Sequence, residues 1–277
     1  MKTTFRKVMR ASLIVALALL MTLSANFTAY AAIWYPANIT ALGDSITVAY
    51  DASGFGSQPI YSWSTGTSKS VNSMYLRLMA VKRTIRGHAT NLAVPGATVA
   101  DLNSQASRVD TRSQYVTIMI GANDVCASSE ATMTDATTFR SRLDTALQTL
   151  TTRAPRAKIY ILSIPDIYNL WSVLKDNSSA RSMWSAFSIC QSMLANPLST
   201  DPADVDRRAA VRQRNIDLNA QLAEACAAYA QCKFDNNAVF NTAFAASDVS
   251  TIDYFHPSIA GQAKLALVAW NASIFGP

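Results

Sequence analysis

The chain has 277 residues, with 24 Lys and Arg against 18 Asp and Glu, and half of its residues are hydrophobic. This length is sufficient for one large domain with a substantial core. Four of the basic residues and none of the acidic ones lie in the first 31 positions, so the rest is close to neutral. That distribution removes the main support for a nucleic-acid partner, because such binding depends on a clustered basic face.

The first 31 residues have the three-part pattern of a secretory signal peptide. A basic leader precedes the uncharged apolar run 11–23, and Ala29-Tyr30-Ala31 supplies small residues for a signal peptidase. An N-terminal membrane anchor is the alternative, but the run is too short to span a bilayer comfortably. We therefore expect a signal peptide over residues 1–31 and a single domain over residues 32–277. We also expect no stable membrane anchor, and secretion into the medium, a periplasm or a cell wall.

Beyond this leader, short apolar runs alternate with segments of helical period. Four runs predict buried strands, at residues 38–43, around 91–93, at 115–121 and at 158–164. Four apolar helix faces follow the 3.6-residue period: Val71, Met74, Tyr75 and Leu78; Phe139, Leu143, Ala146 and Leu150; Val211, Leu218, Leu222 and Tyr229; and Ile259, Ala263, Leu267 and Trp270. The alternation predicts an α/β fold with a central parallel sheet covered by helices on both sides.

Polar residues follow the predicted strands at the positions where parallel sheets collect reactive groups. Ser45 comes after the first strand, Gly96 after the second and Asn123 after the third, while Asp253 and His256 precede the last helix. Each has an ordinary explanation when taken alone, such as a helix cap for Ser45. Together they supply a nucleophile, a base, an acid and donors for a developing oxyanion.

The chemistry of acyl transfer assigns a role to each of these residues. The hydroxyl of Ser45 needs a base, and Asp253 is close enough in sequence to hold His256 in the useful tautomer. The other histidine, His88, has no such acid nearby and is predicted to be structural. The backbone N–H groups of Ser45 and Gly96 and the side-chain amide of Asn123 are predicted to form an oxyanion hole.

Four blocks of the sequence resemble the signature blocks of the SGNH (GDSL) hydrolase family. They are Gly43-Asp44-Ser45-Ile46, Gly96, Gly121-Ala122-Asn123-Asp124 and Asp253-Tyr254-Phe255-His256-Pro257. The resemblance implies a three-layer α/β/α sandwich of flavodoxin-like type and a secreted, bacterial-type esterase or lipase, with the roles given above. Ile46 replaces the usual leucine and Ala122 the frequent threonine, but neither carries chemistry. The α/β-hydrolase motif G-x-S-x-G is not matched, because Thr47 occupies its second glycine position.

Four cysteines follow the leader, an even number that favours disulfides in an exported protein. Three pairings are possible. We favour Cys226 with Cys232, where a helix is predicted to turn into a strand, and by elimination Cys126 with Cys190. Four buried thiols are the alternative.

Substrate choice is only weakly determined by the sequence. Trp171, Trp184 and Phe187 lie in an apolar segment, 168–194, which either packs in the core or lines an acyl groove. The leading hypothesis is a hydrolase of acyl or lipid esters; a polysaccharide O-acetyl esterase and a non-catalytic binding protein are the alternatives. No metal-ligand motif occurs, and we expect no cofactor, a small-molecule or lipid ester as substrate, and a monomer.

Overall fold

The structure is a computed structural model that describes residues 34–277, and its centre is a parallel β-sheet. The strands are β1 Ile39–Gly43, β2 Ala89–Asn91, β3 Tyr115–Met119, β4 Lys158–Ile161 and β5 Cys232–Phe234. Their spatial order is β2-β1-β3-β4-β5, and every neighbouring pair is parallel. The predicted α/β class is confirmed, whereas the predicted signal peptide lies outside the described residues.

Helices cover both faces of this sheet. They are α1 Met74–Val81, α2 Val99–Ser107, α3 Ala122–Val125, α4 Ala136–Arg153, α5 Ile167–Leu174, α6 Ser178–Ala186, α7 Gln191–Leu194, α8 Pro202–Ala227 and α9 Ile259–Ala272. From β1 the chain first adds β2 at one edge of the sheet, and it then adds β3, β4 and β5 one after another on the other side of β1. Because crossovers between parallel strands are right-handed, α1 lies on one face of the sheet and α2, α4 and α8 lie on the other. The result is the predicted three-layer sandwich, and residues Tyr35–Pro277 form one compact unit.

Local sequence signals explain where the longer helices begin. Asp135 caps α4 by accepting a hydrogen bond from the Thr138 N–H group, and Ser258 caps α9 through Gly261. Pro202 occupies the first turn of α8, where its missing N–H group costs nothing. Among the helices of residues 34–277, none combines the length and apolar character that crossing a bilayer requires.

The buried face of α9 differs from the predicted one. Leu267 is 46% exposed, and the buried residues are Gly261, Gln262, Leu265, Ala266 and Ala269. The helix is apolar around most of its circumference, so the period alone could not choose the face. The buried face is instead determined by close packing at Gly261, where a Cβ atom would lie 2.1 Å from the Asp248 carbonyl oxygen.

Candidate active site

The turn after β1 fixes the position of Ser45. Gly43 has a positive φ of 149°, and a Cβ atom there would lie 2.3 Å from the Met119 carbonyl oxygen of β3. Only glycine permits this close approach of the two strands. The Ser45 side chain then lies at the carboxyl edge of the sheet, and the residue is only 6% exposed.

Ser45, His256 and Asp253 form a continuous chain of side-chain contacts. His256 Nε2 lies 2.8 Å from Ser45 Oγ, and His256 Nδ1 contacts Asp253 Oδ2. The rings of Tyr50 and Phe255 flank the imidazole, with centroids 5.2 and 5.0 Å from its own. The structure therefore brings together the three residues predicted as nucleophile, base and acid. His88 lies just before β2, at the opposite end of the strands.

The loop that carries Asp253 and His256 is folded around the Asp253 carboxylate. Asp253 Oδ1 accepts hydrogen bonds from the N–H groups of Phe255, at 2.9 Å, and His256, at 3.0 Å. Burial raises the pKa of Asp253, but the hydrogen bond and charge of His256 and the two N–H groups together outweigh it and hold that pKa below its ordinary value. The carboxylate is therefore ionised at neutral pH and can orient the imidazole.

Asp44, the middle residue of the first signature block, has no exposed surface. Its Oδ1 accepts a hydrogen bond from the Ile46 N–H group at 2.9 Å, while Oδ2 has no partner among the residues that the structure describes. Burial raises the pKa of Asp44 from 3.8 to about 7, against the lowering effect of the Ile46 N–H group. This carboxyl is therefore protonated in mildly acidic solution.

We expect Asp44→Asn to flatten part of the pH dependence of stability. The folded protein keeps the Asp44 proton that the unfolded chain releases, so the free energy of unfolding falls by about 3 kcal/mol between pH 5 and pH 8, as the pH rises through the folded-state pKa of about 7. Urea unfolding at pH 5 and pH 8 measures this difference in the wild type and the variant. The exposed Asp176→Asn is the control, and equal pH dependence in all three proteins would contradict the expectation.

The residues predicted to bind the oxyanion lie in segments that follow three neighbouring strands, and Asn123 is part of α3. Asn123 Nδ2 donates a hydrogen bond of 2.9 Å to the carbonyl of Ala97, which ties α3 to the loop that contains Gly96. Gly96 is exposed and has a φ of 79°. The N–H groups of Ser45 and Gly96 donate to no other group in residues 34–277. All three positions thus have a donor hydrogen to offer.

An apolar pocket opens beside Ser45, with a cavity volume of about 60 Å³. Ser45, Asn123 and His256 line this pocket. The remaining walls come from the β4–α5 loop, the segment around residues 244–249 and α9, and their apolar residues include Ile46, Ile167, Leu170, Phe244, Val249 and Leu265. No local pattern in the sequence indicates this pocket, because its walls combine residues from several segments that are distant along the chain.

The three aromatic residues predicted to bind substrate do not line this pocket. Trp184 is 1% exposed, and Trp171 lies under the Arg208 guanidinium at 4.7 Å, with its indole N–H bonded to the Pro197 carbonyl. Phe187 is 70% exposed and lines a different surface depression, together with Tyr254. The structure therefore favours packing over substrate binding for Trp171 and Trp184. Leu170, from the same segment, does line the pocket.

Trp184 instead supports the loop that carries the acid and the base. Its indole N–H donates a hydrogen bond of 2.9 Å to the carbonyl of Tyr254, which lies between Asp253 and His256. Tyr254 has a positive φ of 55°, a conformation that an aromatic residue rarely adopts without support. A core residue therefore holds the strained turn from which the side chains of Asp253 and His256 project.

Two disulfide bonds join Cys126 to Cys190 and Cys226 to Cys232, the pairs that the sequence favoured. Cys126 ends α3, which carries Asn123, and Cys190 precedes α7. The Ser192 hydroxyl strengthens the same connection by donating to the Val125 carbonyl at 2.8 Å. The bond thus fastens the helix that carries Asn123 to the segment that follows Trp184.

A second carboxylate lies behind the Asp253–His256 pair. Ligand atoms of Asp51, Asp253 and His256 lie within 4.8 Å of one another, a spacing that could hold a metal ion. Asp51 Oδ1 accepts from the Gly56 N–H group, and its backbone carbonyl accepts from the Ser250 hydroxyl. Because both ring nitrogens of His256 already face Ser45 and Asp253, the cluster is part of the serine site. That no metal is needed stays a prediction.

The parallel sheet and the serine and histidine at its carboxyl edge define the class of protein, an SGNH hydrolase fold. Residues 41–264 match the GDSL-like lipase/acylhydrolase family, and the chain belongs to that family of hydrolases. No curated protein sequence matches the chain.

Several solved structures are similar to this one. An extracellular lipase from Streptomyces rimosus is 20% identical over 85% of this chain and 98% of its own, with a TM-score of 0.50. A phospholipase A1 from Streptomyces albidoflavus is 19% identical over the same shares, with a TM-score of 0.49. A family two carbohydrate esterase from Clostridium thermocellum is 18% identical over 87% of this chain and 65% of its own, with a TM-score of 0.45. At these identities the likeness concerns the fold alone.

Proposed function

We propose that this hydrolase is a secreted serine esterase or lipase that cleaves carboxylic esters of acyl or lipid type through an acyl-enzyme on Ser45. One observation carries the proposal: the unbroken contact from Ser45 Oγ through the His256 ring to Asp253. A hydroxyl in contact with an oriented imidazole is the arrangement that nucleophilic catalysis requires.

In the first step, Ser45 Oγ attacks the ester carbonyl carbon while His256 Nε2 accepts the hydroxyl proton. The carbonyl π electrons move to the oxygen, which is stabilised by the N–H groups of Ser45 and Gly96 and the amide of Asn123. When the tetrahedral intermediate collapses, the C–O bond to the alcohol breaks, and the departing oxygen takes the proton from His256. The acyl group then remains bonded to Ser45.

In the second step, water replaces the alcohol. His256 accepts a proton from the attacking water, and the carbonyl oxygen again becomes negative in the same set of donors. Collapse breaks the bond to Ser45 Oγ, which recovers its proton from His256, and the carboxylic acid is released. The ionised Asp253 stabilises the imidazolium that forms in each step.

Two features support export of the protein. The leader has the signal-peptide pattern, and the four cysteines that the structure describes are all paired in disulfide bonds. Disulfide bonds persist in oxidising compartments outside the cytoplasm. We therefore place the enzyme outside the cytoplasm.

A fluorophosphonate probe tests the proposal directly. Ser45 Oγ should attack the phosphorus, expel fluoride and leave a stable phosphonyl adduct, with the proton taken up by His256. We expect peptide mapping to find a single adduct on Ser45 and ester hydrolysis to stop in proportion to labelling. A protein that folds but neither reacts nor cleaves a p-nitrophenyl ester would be the non-catalytic binding protein instead.

A further inference from the structure

Asp51 is a buried acid that has no part in the two steps of ester cleavage. It is 7% exposed, lies on the turn after β1, and does not line the pocket beside Ser45. One of its carboxylate oxygens lies within 4.8 Å of a ring nitrogen of His256 and of a carboxylate oxygen of Asp253. The site therefore holds two carboxyl groups beside one imidazole.

Two hydrogen bonds from Ser250 fix the position of Asp51 relative to His256. The Ser250 hydroxyl donates to the Asp51 carbonyl at 2.5 Å, and the Ser250 N–H group donates to the His256 carbonyl at 2.8 Å. Ser250 is buried, and the Gly56 N–H group holds the Asp51 side chain by donating to its Oδ1. The separation between the Asp51 carboxylate and the imidazole is therefore built into the backbone.

The imidazole of His256 has acidic groups around it. No lysine or arginine within residues 34–277 forms an ion pair with Asp51 or Asp253. The fully buried Asp44 also interacts with His256 through its charge, and Tyr50 is a further titratable neighbour, with its ring centroid 5.2 Å from that of the imidazole. A positive charge on the imidazole is therefore the one that these acids can share.

The pair of carboxyl groups is unfavourable while the imidazole is neutral and becomes favourable when it is protonated. Two carboxylates within 4.8 Å repel each other, and a buried position strengthens the repulsion. Burial raises the pKa of Asp51 and Asp253 raises it further, whereas the Gly56 N–H group and His256 lower it. Each step of ester cleavage creates an imidazolium beside both acids. An interaction that is stronger in the transition state than in the ground state accelerates the reaction.

On the basis of the proposed function, we propose that Asp51 is a positioning residue, a second acid whose ionised carboxylate stabilises the imidazolium of His256 together with Asp253. Asp253 orients the ring by direct contact, and Asp51 adds negative charge beside it without lining the pocket. The contribution of Asp51 is therefore to kcat and to the pH at which the imidazolium loses its proton. Substrate binding should not depend on it.

Asp51→Asn removes the charge with little change in shape. Position 51 has a positive φ of 51°, a conformation in which asparagine is common, and the amide oxygen can still accept from the Gly56 N–H group. We expect the acidic limb of the kcat/KM profile for p-nitrophenyl butyrate to move to lower pH by about one unit, because the imidazolium loses a nearby negative charge. Above this limb, kcat should fall about three- to tenfold with KM unchanged.

Two further variants separate the charge from its surroundings. Asp51→Gly also removes the carboxylate, and glycine adopts a positive φ without strain, so the acidic limb should move by the same amount. Asp110→Asn is the matched control, because it removes one negative charge from an exposed position before β3, at the opposite end of the strands. The acidic limb of this control should coincide with that of the wild type.

The ring nitrogens of His256 report the same charge without turnover. The chain has two histidines, and His88→Gln identifies the signals of the other one in the NMR spectrum of protein labelled with nitrogen-15 at histidine. In the wild type, the His256 signals should show an additional inflection as Asp51 titrates. Asp51→Asn should remove this inflection and leave those caused by Asp44 and Asp253.

The outcomes separate the role of Asp51 from the proposed function. An unchanged acidic limb in both Asp51 variants would overturn the role, and so would NMR inflections that Asp51→Asn leaves unaltered. A shift to higher pH would also overturn it, because a protonated Asp51 would then weaken Asp253 by donating a hydrogen bond to it. In each of these cases Ser45 would still react with the fluorophosphonate, and the esterase proposal would stand. Loss of both labelling and ester cleavage in the wild type would overturn the proposed function and the role of Asp51 with it.

Discussion

Ser45→Ala is expected to lower kcat/KM for p-nitrophenyl butyrate by about 10⁴- to 10⁶-fold. The substitution removes the only atom that forms the acyl-enzyme, so His256 would have no hydroxyl to activate. Within residues 34–277 Ser45 Oγ contacts only His256, at 2.8 Å, and the backbone hydrogen bonds of the turn do not involve it, so the variant should keep its fold and its thermal midpoint. Steady-state hydrolysis and a thermal unfolding curve measure the two quantities.

The control for Ser45→Ala is a serine outside the site. Ser104 is exposed on α2, and Ser104→Ala should retain wild-type turnover. If Ser45→Ala also remained active, with mass spectrometry confirming the substitution, the assignment of the nucleophile would be wrong.

Asp253→Asn is expected to lower kcat by about 10⁴-fold, the effect of the corresponding change in other serine hydrolases. Oδ1 can still accept hydrogen bonds from the N–H groups of Phe255 and His256, so the loop should keep its conformation. The amide would then direct N–H groups toward His256 Nδ1, which favours the wrong tautomer and removes the charge that stabilises the imidazolium. Turnover measured across the pH range gives the effect.

The neighbouring carboxylate provides a matched comparison for Asp253→Asn. Asp51 lies in the same cluster, but the carboxylate oxygen in contact with His256 Nδ1 is Oδ2 of Asp253. Asp51→Asn should therefore cost much less turnover than Asp253→Asn. The reverse order would make Asp51 the acid that orients the imidazole and would require a different arrangement in solution.

The sequence predicted the sheet and the position of the site because both depend on strong local patterns. The runs at residues 38–43 and 115–121 are short, uncharged and rich in apolar residues, and they form β1 and β3. Since parallel strands end at a common edge, Ser45 and Asn123 had to lie on neighbouring loops. The short D-x-x-H spacing was sufficient to place Asp253 against its histidine.

The pocket, the packing of the aromatic residues and the position of Asp51 depend on contacts between distant segments, which no local sequence pattern encodes. The pocket walls combine Ile46, Leu170, Phe244 and Leu265, and nothing in any one of these stretches indicates a cavity. For the same reason, the sequence could not distinguish core packing from substrate binding for the aromatic residues of the segment 168–194. An apolar cluster has the same composition whether it packs inward or lines a groove. Asp51 reaches the site only because the turn after β1 folds back onto the loop 250–256.

The hydrogen bond from Trp184 to Tyr254 makes interior packing and chemistry inseparable in this enzyme. A phenylalanine could fill most of the same space yet would leave the carbonyl of a left-handed residue without its donor. Mutational tolerance at position 184 would then follow turnover more closely than thermal endurance. Directed evolution toward higher turnover would therefore retain this tryptophan, although it does not line the pocket beside Ser45.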